Sequence, residues 1–168
     1  MDGGDAQAPW SPEVITEGEW AGWRIWSSDP FELHAGPFYA RRSEAGQMVC
    51  AFRAERKHMN GGGHMHGGCL LTFADYALFC IAEDALKDSG SVTASLNGEF
   101  IDGAVEGELI EATGEVVRAG GSLVFIRGII STGGRPLLNF SAIVKKVRWR
   151  ASLAARAEAS AGEGQAGS

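Results

Sequence analysis

A glycine-rich turn followed by a long apolar run constrains the fold of this chain most strongly. The turn ends at His66-Gly67-Gly68, and the run from Cys69 to Ala82 contains one charged residue, Asp75. A proline-free run of fourteen residues is too long for a typical strand. It therefore predicts a helix that is apolar on nearly all sides and buried. A helix that is buried on every side usually lies across the concave face of a sheet that wraps around it.

The start of this helix and its single carboxylate are the candidates for chemistry. A helix start presents unpaired N–H groups at the positive end of the dipole, and Gly67 and Gly68 have no side chain that would keep a ligand away. Such amides suit a developing oxyanion. Asp75 follows His66 by nine residues, on an apolar stripe where an ionised carboxylate is costly unless it is paired or used. Asp75 is therefore a candidate general base or nucleophile.

Two simpler interpretations of the same residues stay open. Glycines before a helix often form only a turn, and a single buried aspartate is often a hydrogen-bonded structural residue. The presence of Asn60 and His66 upstream of Asp75 favours a site. A phosphate-binding P-loop is not indicated, because no Lys followed by Ser or Thr comes after the glycines.

Composition and charge argue against several classes of protein. The net charge of −6 speaks against nucleic-acid binding, which needs a basic face. No apolar run reaches the length of a membrane span, and the acidic N-terminus lacks the apolar region of a signal peptide. Cys50, Cys69 and Cys80 have no CxxC spacing, so they are interpreted as reduced core residues. These features predict a cytoplasmic protein without nucleic-acid or membrane partners.

The N-terminal segment, residues 10–30, contains four of the five tryptophans. The three-residue spacing of Trp20, Trp23 and Trp26 suggests one side of a helical turn. The segment is predicted to cover the main domain. The alternative is that these rings form the wall of a hydrophobic substrate tunnel or a subunit interface. Both chain ends are rich in small and polar residues and are predicted to be disordered: residues 1–9 and 151–168.

The main domain, residues 31–150, is predicted to be α+β because its helix and strands are segregated along the chain. Two strands precede the helix and a meander of four follows it, with glycine-rich turns between them. An antiparallel sheet of about six strands around one long central helix is the hotdog arrangement. Its open sheet edge predicts dimerisation. The predicted strands are 37–42, 47–56, 92–101, 107–118, 123–132 and 137–148.

A motif around the glycine turn is similar to that of a known family. The pattern Asn60-x-x-Gly63-x-x-His66-Gly67-Gly68, followed by Asp75, resembles the PaaI-like acyl-CoA thioesterases of the phenylacetate pathway. The segment from Val92 to Asn97, with Phe100 after it, also fits. The resemblance covers residues 37–148.

The resemblance implies hydrolysis of an acyl-CoA thioester to a carboxylic acid and CoA, without a metal or another cofactor. It also implies a homodimer, or a tetramer formed by two dimers, with active sites shared between subunits. One subunit would contribute Asn60, His66 and the Gly67 amide as the oxyanion donor. The other would contribute Asp75 and Thr93, whose hydroxyl would orient the attacking water or the carboxylate.

Because CoA carries phosphate groups, we expect cationic side chains at its binding site despite the negative net charge of the chain. The resemblance places CoA near a turn that contains Arg118, Gly120 and Ser122, with Gly68 as a further substrate-binding residue. A second basic cluster is the alternative, and a solvated strand end explains either cluster equally well. This second cluster consists of Lys145, Lys146 and Arg148.

Three other functions compete with this interpretation. The first is a metal site, for which His58, His64, His66 and Asp75 supply suitable ligand types. The second is a hotdog dehydratase. The third is a non-catalytic hotdog domain that binds an acyl-CoA or a similar apolar ligand, against which Asp75 argues. The acyl group itself is not indicated by the sequence.

Overall fold

A computed structural model describes residues 11–87 and 89–147 of the chain. The predictions for residues 1–9 and 151–168, and for Arg148, lie outside the described residues. Eight strands, three α-helices and one 3-10 turn follow one another along the described part. They are β1 Glu13–Val14, β2 Arg24–Ile25, α1 Pro30–Ala35, β3 Tyr39–Arg42, β4 Met48–Arg53, the 3-10 turn Arg56–His58, α2 Gly67–Ile81, α3 Glu83–Leu86, β5 Gly90–Phe100, β6 Leu109–Ala119, β7 Leu123–Thr132 and β8 Arg135–Val147.

The strands form one antiparallel sheet in the order β1-β2-β3-β4-β6-β7-β8-β5. The predicted α+β architecture is confirmed, but the sheet has eight strands rather than about six. The additional two are β1 and β2, which pair with each other and extend the sheet beyond β3. Because each has only two residues, neither shows an alternating pattern in the sequence.

The helical turn predicted from the tryptophan spacing is wrong. Trp20 lies in the connection between β1 and β2, and Gly18 and Gly22 there adopt positive φ values of 77° and 84°. Glycine reaches that conformation without strain, so the chain reverses direction instead of forming a helix. Trp20 stacks on Tyr39 with ring centroids 4.2 Å apart, and Trp23 is buried.

Helix α2 packs against the sheet through one side and against α1 and Trp26 through another. Buried side chains such as Phe73, Ala77 and Leu78 belong to the core, whereas Asp75 and Phe79 are only half-buried. Every α2 residue from Cys69 to Ile81 is buried or half-buried, so the predicted burial is confirmed for most of the helix, and the half-buried positions lie where the sheet does not cover it. The side that the sheet leaves open faces α1 and two cavities described below.

Strand β5 lies at one end of the sheet and pairs only with β8 among the described strands. Its eleven residues leave a long row of backbone groups on the other edge without a partner among the described residues. In the described residues no helix is long and apolar enough to cross a membrane. The cytoplasmic location stays a prediction.

Replacing Gly128 with alanine is expected to lower the free energy of unfolding by about 1–3 kcal/mol, because overpacking displaces core side chains. A methyl group at Gly128 would overlap the ring of buried Phe140 and lie 2.6 Å from the carbonyl oxygen of Thr113. Thermal and chemical denaturation would measure the change. Gly121→Ala is the matched control, since a methyl group there has no neighbour within 4 Å. Equal stability of the two variants would contradict this prediction.

Candidate active site

The loop before α2 is held by Asn60. Its side-chain oxygen accepts hydrogen bonds from the backbone N–H groups of Gly62, at 2.8 Å, and His64, at 3.3 Å. Its backbone N–H donates to the carbonyl oxygen of His64 at 2.7 Å. Asn60 therefore closes a compact turn, as the asparagine side chain does in an Asx turn, and this turn leads directly into the helix start.

His66 is the N-cap of α2. Its Nδ1 atom accepts a hydrogen bond of 2.9 Å from the backbone N–H of Gly68, so the Gly68 amide already has an acceptor. The Gly67 amide has no acceptor among the described residues. The ring of Phe100 lies beside Gly67, where an added methyl carbon would be 3.0 Å from its Cε1 atom. One N–H group at the positive end of the helix is thus available to a ligand.

Asp75 lies two turns further along α2 and is bonded to Thr93 on β5. The Thr93 hydroxyl donates to Asp75 Oδ1 at 2.7 Å. A β-bulge between Thr93 and Ser95 interrupts the β5–β8 register at this point, and bulges of this kind redirect side chains. Half-buried Asp75 also lines a cavity of about 350 Å³. A carboxylate bonded on one oxygen and open to a cavity can activate a water molecule or attack a carbonyl.

The amide and the carboxylate of one chain cannot act on the same carbonyl group. Gly67 and Asp75 belong to the same helix, and eight residues correspond to about 12 Å along its axis. A reacting carbonyl must lie about 3 Å from both an oxyanion donor and a nucleophile. The chain therefore contains two half-sites, the Gly67 amide and the Asp75 carboxylate, that are too far apart to act on one carbonyl group.

Comparison with known proteins identifies the family. The profile described as thioesterase superfamily matches residues 62–138, a range that contains Gly67, Asp75 and Thr93. A candidate esterase of Pseudomonas aeruginosa is 31% identical over 120 residues, which cover 71% of this chain and 90% of the relative. The chain belongs to the thioesterase superfamily. Thioester hydrolysis in general is the activity that this membership supports.

Two further comparisons agree with this assignment. Human acyl-coenzyme A thioesterase 13 is 29% identical over 99 residues, which cover 56% of this chain and 68% of the human protein. The Escherichia coli PaaI protein from the phenylacetic acid degradation operon has the same fold, with a TM-score of 0.62 and 18% identity. That match covers 71% of this chain and 85% of PaaI. The hotdog fold and the predicted PaaI-like resemblance are confirmed.

The histidines of this superfamily member do not converge on one point. His58 is buried, its Nδ1 accepts from the Glu55 amide at 2.9 Å, and burial lowers its pKa. His64 is exposed, with Nδ1 3.2 Å from the carbonyl oxygen of Gly62, and His66 caps α2. Within residues 11–87 and 89–147, no group of three or more His, Cys, Asp or Glu side chains is arranged to hold a metal ion.

The two candidate CoA clusters lie at the same end of the sheet. Arg118 is an exposed residue at the end of β6, and Gly120 and Ser122 belong to the β6–β7 connection. The Ser122 carbonyl oxygen accepts from the backbone N–H of Lys146 at 2.8 Å, and Lys145 is the β8 partner of both Leu123 and Val92. The described residues of the two clusters are therefore neighbours. Val92, the β5 partner of Lys145, directly precedes Thr93.

Glu32 is a candidate site residue that no sequence pattern indicated. Glu32 lies on α1 and lines the same cavity as Asp75. Burial first, and then the charges of Asp29 and Asp75, raise the pKa of Glu32 to about 7. The only available signal was the Asp29-Pro30 pair, which is typical of a helix start. It indicates α1 but not that α1 packs against α2.

Proposed function

We propose that this protein hydrolyses an acyl-CoA thioester to a free carboxylic acid and CoA. The observation that carries the proposal is the pair of half-sites on α2, one an amide at the helix start and the other a carboxylate bonded to Thr93. Membership of the thioesterase superfamily and the likeness to human acyl-coenzyme A thioesterase 13 support a CoA thioester as substrate.

Each residue has a role that follows from its contacts. The Gly67 N–H donates to the thioester oxygen as negative charge develops there, and one such donor contributes about 3–4 kcal/mol to transition-state stabilisation. Asp75 activates a water molecule or attacks the carbonyl itself, and Thr93 holds the carboxylate in position. Asn60 and His66 keep the loop and helix start in the required conformation. CoA thiolate is a good leaving group, so these residues suffice for the reaction.

The separation of about 12 Å between the two half-sites supports an active site shared by two protomers. Asn60, His66 and Gly67 of one protomer would face Asp75 and Thr93 of the partner subunit. The open edge of β5 supports pairing between two copies, because an unpaired edge of eleven residues favours addition of another strand. A tetramer of two such dimers is the alternative assembly, and light scattering during size-exclusion chromatography separates the two from the 17.8 kDa chain mass.

CoA is proposed to lie along the end of the sheet that carries Arg118, Gly120 and Ser122. Arg118 is exposed there at the end of β6, and Lys145 and Lys146 lie on β8, which pairs with β7. Cationic side chains and backbone amides are what phosphate groups require. The same end of the sheet carries Thr93, so a CoA bound there would bring its thioester toward Asp75.

Mixing two inactive variants tests the shared site. Asp75→Asn removes the base, and Gly67→Pro removes the amide donor. In a mixed dimer, one site carries both changes and the other carries neither. Random exchange after partial denaturation and refolding should therefore restore about one quarter of the wild-type activity, since half of the dimers are mixed and each has one intact site.

The controls for this experiment are the two variants refolded separately, which should stay inactive. CoA release from a panel of short, aromatic and long acyl-CoAs provides the readout. If mixed dimers form, as shown by mass spectrometry of the intact complexes, but no activity returns, the two half-sites do not come from different protomers. If the wild-type protein releases CoA from no thioester, the proposed activity itself is refuted.

A further inference from the structure

Two adjoining cavities lie on the open side of α2, between this helix and the N-terminal segment. The inner cavity, of about 350 Å³, is the one that Asp75 lines. The outer cavity, of about 460 Å³, lies between Trp26 and the C-terminal half of α2. Asp29, Glu32 and Tyr76 line both cavities, so the two cavities adjoin at these three residues. The outer cavity leads away from Asp75 and is therefore placed to receive the acyl part of a thioester.

The wall of the outer cavity is aromatic and is fixed to the domain. Trp26 packs edge-on against Tyr76 with ring centroids 5.8 Å apart, and Phe79 lies on the same side. The segment that carries Trp26 is tied to α3 by the bond from Arg24 to Glu83, at 2.7 Å. This segment precedes the range matched by the superfamily profile, so this wall is formed by residues outside that range.

Glu32 and Tyr76 line both cavities, and their side chains have no hydrogen-bond partner among the described residues. The Asp29 carboxylate is used, since Oδ1 accepts from the backbone N–H groups of Phe31 at 3.0 Å and of Glu32 at 2.9 Å. The Glu32 carboxyl makes no hydrogen bond or ion pair with a described residue. Tyr76 is 4% exposed, and its hydroxyl has no hydrogen-bond partner among the described residues. A buried hydroxyl without a partner is costly, which points to a ligand that occupies this space.

The other titratable groups around Glu32 do not neutralise it. Asp75 on α2 and Asp29 at the start of α1 add negative charge, and Glu83 is already paired with Arg24. Lys87 lines the far part of the outer cavity and is exposed. Burial raises the pKa of the Cys50 thiol, so it adds no charge near pH 7. The Cys80 side chain is buried in the core.

The geometry points to Glu32 as a specificity-determining residue that contacts the acyl group and selects acyl groups without a negative charge. This inference rests on the proposed function, because the ligand it describes is an acyl-CoA. An acyl chain that follows the two cavities passes from the carbonyl at Asp75 to the carboxyl of Glu32. A carboxylate at the far end of that chain would meet like charge in a largely apolar space, which is strongly unfavourable.

The pH dependence of this selectivity distinguishes Glu32 from a structural residue. Because the pKa of Glu32 is raised to about 7, the carboxyl is mostly neutral at pH 6 and mostly charged at pH 8. A carboxylate at the end of a flexible acyl chain has a pKa of about 4–5 and stays charged at both values. The preference for an uncharged acyl group should therefore increase as pH rises through 7, and it should do so only while Glu32 is present.

The test compares hexanoyl-CoA with adipoyl-CoA, which has the same chain length and a terminal carboxylate. We expect the ratio of their kcat/KM values to rise at least about fivefold between pH 6 and pH 8 in the wild type. In Glu32→Gln the ratio should stay constant with pH and be at least about tenfold smaller at pH 8. Glu44→Gln, which changes an exposed carboxylate in the β3–β4 turn, is the control and should behave as the wild type.

Each outcome separates this inference from the proposed function. Identical ratios in the wild type and Glu32→Gln at both pH values would overturn the role of Glu32, even if the enzyme is an active thioesterase. If the wild type hydrolyses neither compound, the same ratio is measured as Kd values by calorimetry, and the acyl-CoA panel decides the proposed function separately. Absence of binding by both compounds would overturn the role of Glu32. If Glu32→Gln does not fold, a pH-independent wild-type ratio is sufficient to reject the inference.

Discussion

Asp75→Asn is expected to reduce kcat for thioester hydrolysis by about 10²–10⁴-fold, which is the usual contribution of a general base. Asparagine keeps the shape of the side chain and can still accept the 2.7 Å hydrogen bond from Thr93. It cannot take a proton from water or form a covalent bond with the acyl group. Substrate binding should therefore change little while turnover is lost.

Release of CoA, measured with a thiol reagent, and calorimetric titration with substrate would check this result. Asp84→Asn is the matched control, because Asp84 is exposed on α3 and does not line the two cavities. Its carboxylate pairs with Arg42 at a distance of 2.9 Å. Its activity should stay within about twofold of the wild type, as for most surface changes. If Asp75→Asn were as active as the wild type, Asp75 would not be the base or nucleophile.

Gly67→Pro is expected to lower kcat by about 10²–10³-fold, the effect of removing one oxyanion donor. Proline lacks the N–H group but is well tolerated at the first position of a helix, which is where Gly67 lies. The preceding residue, His66, has φ −68° and ψ 131°, a conformation that a following proline favours. The variant should therefore keep α2 intact while losing the donor.

Gly67→Ala is the control that isolates the amide. Alanine adds the same carbon beside the Phe100 ring as proline does, 3.0 Å from Cε1, but it keeps the N–H group. The exposed Phe100 side chain can move to make room, so Gly67→Ala should retain most of the activity. Circular dichroism would confirm the helix in both variants. Similar losses in the two variants would show that space beside Phe100, not the amide, is what the site needs.

The prediction from sequence was most accurate where the pattern is local. The apolar run predicted the start of α2 to within two residues, and glycine-rich turns separated the four long strands β5 to β8. The same pattern predicted that the helix continues to about Lys87, whereas α2 ends at Ile81 and a separate α3 follows. Hydrophobic period and turn residues report the conformation of a segment and its neighbours in the chain. The motif from Asn60 to Asp75 was visible for the same reason, because its residues lie within one turn and one helix.

The sequence by itself therefore determined the segregated α+β order, the helix start with its free amide, and the position of Asp75 on that helix. Only the tertiary structure decided that β1 and β2 join the sheet, that one side of α2 stays open, and that Glu32 faces Asp75 across a cavity. The physical reason is that these features depend on contacts between segments far apart in the chain. These contacts form only when the chain packs, and the local spacing of residue types does not indicate which distant segments will be in contact.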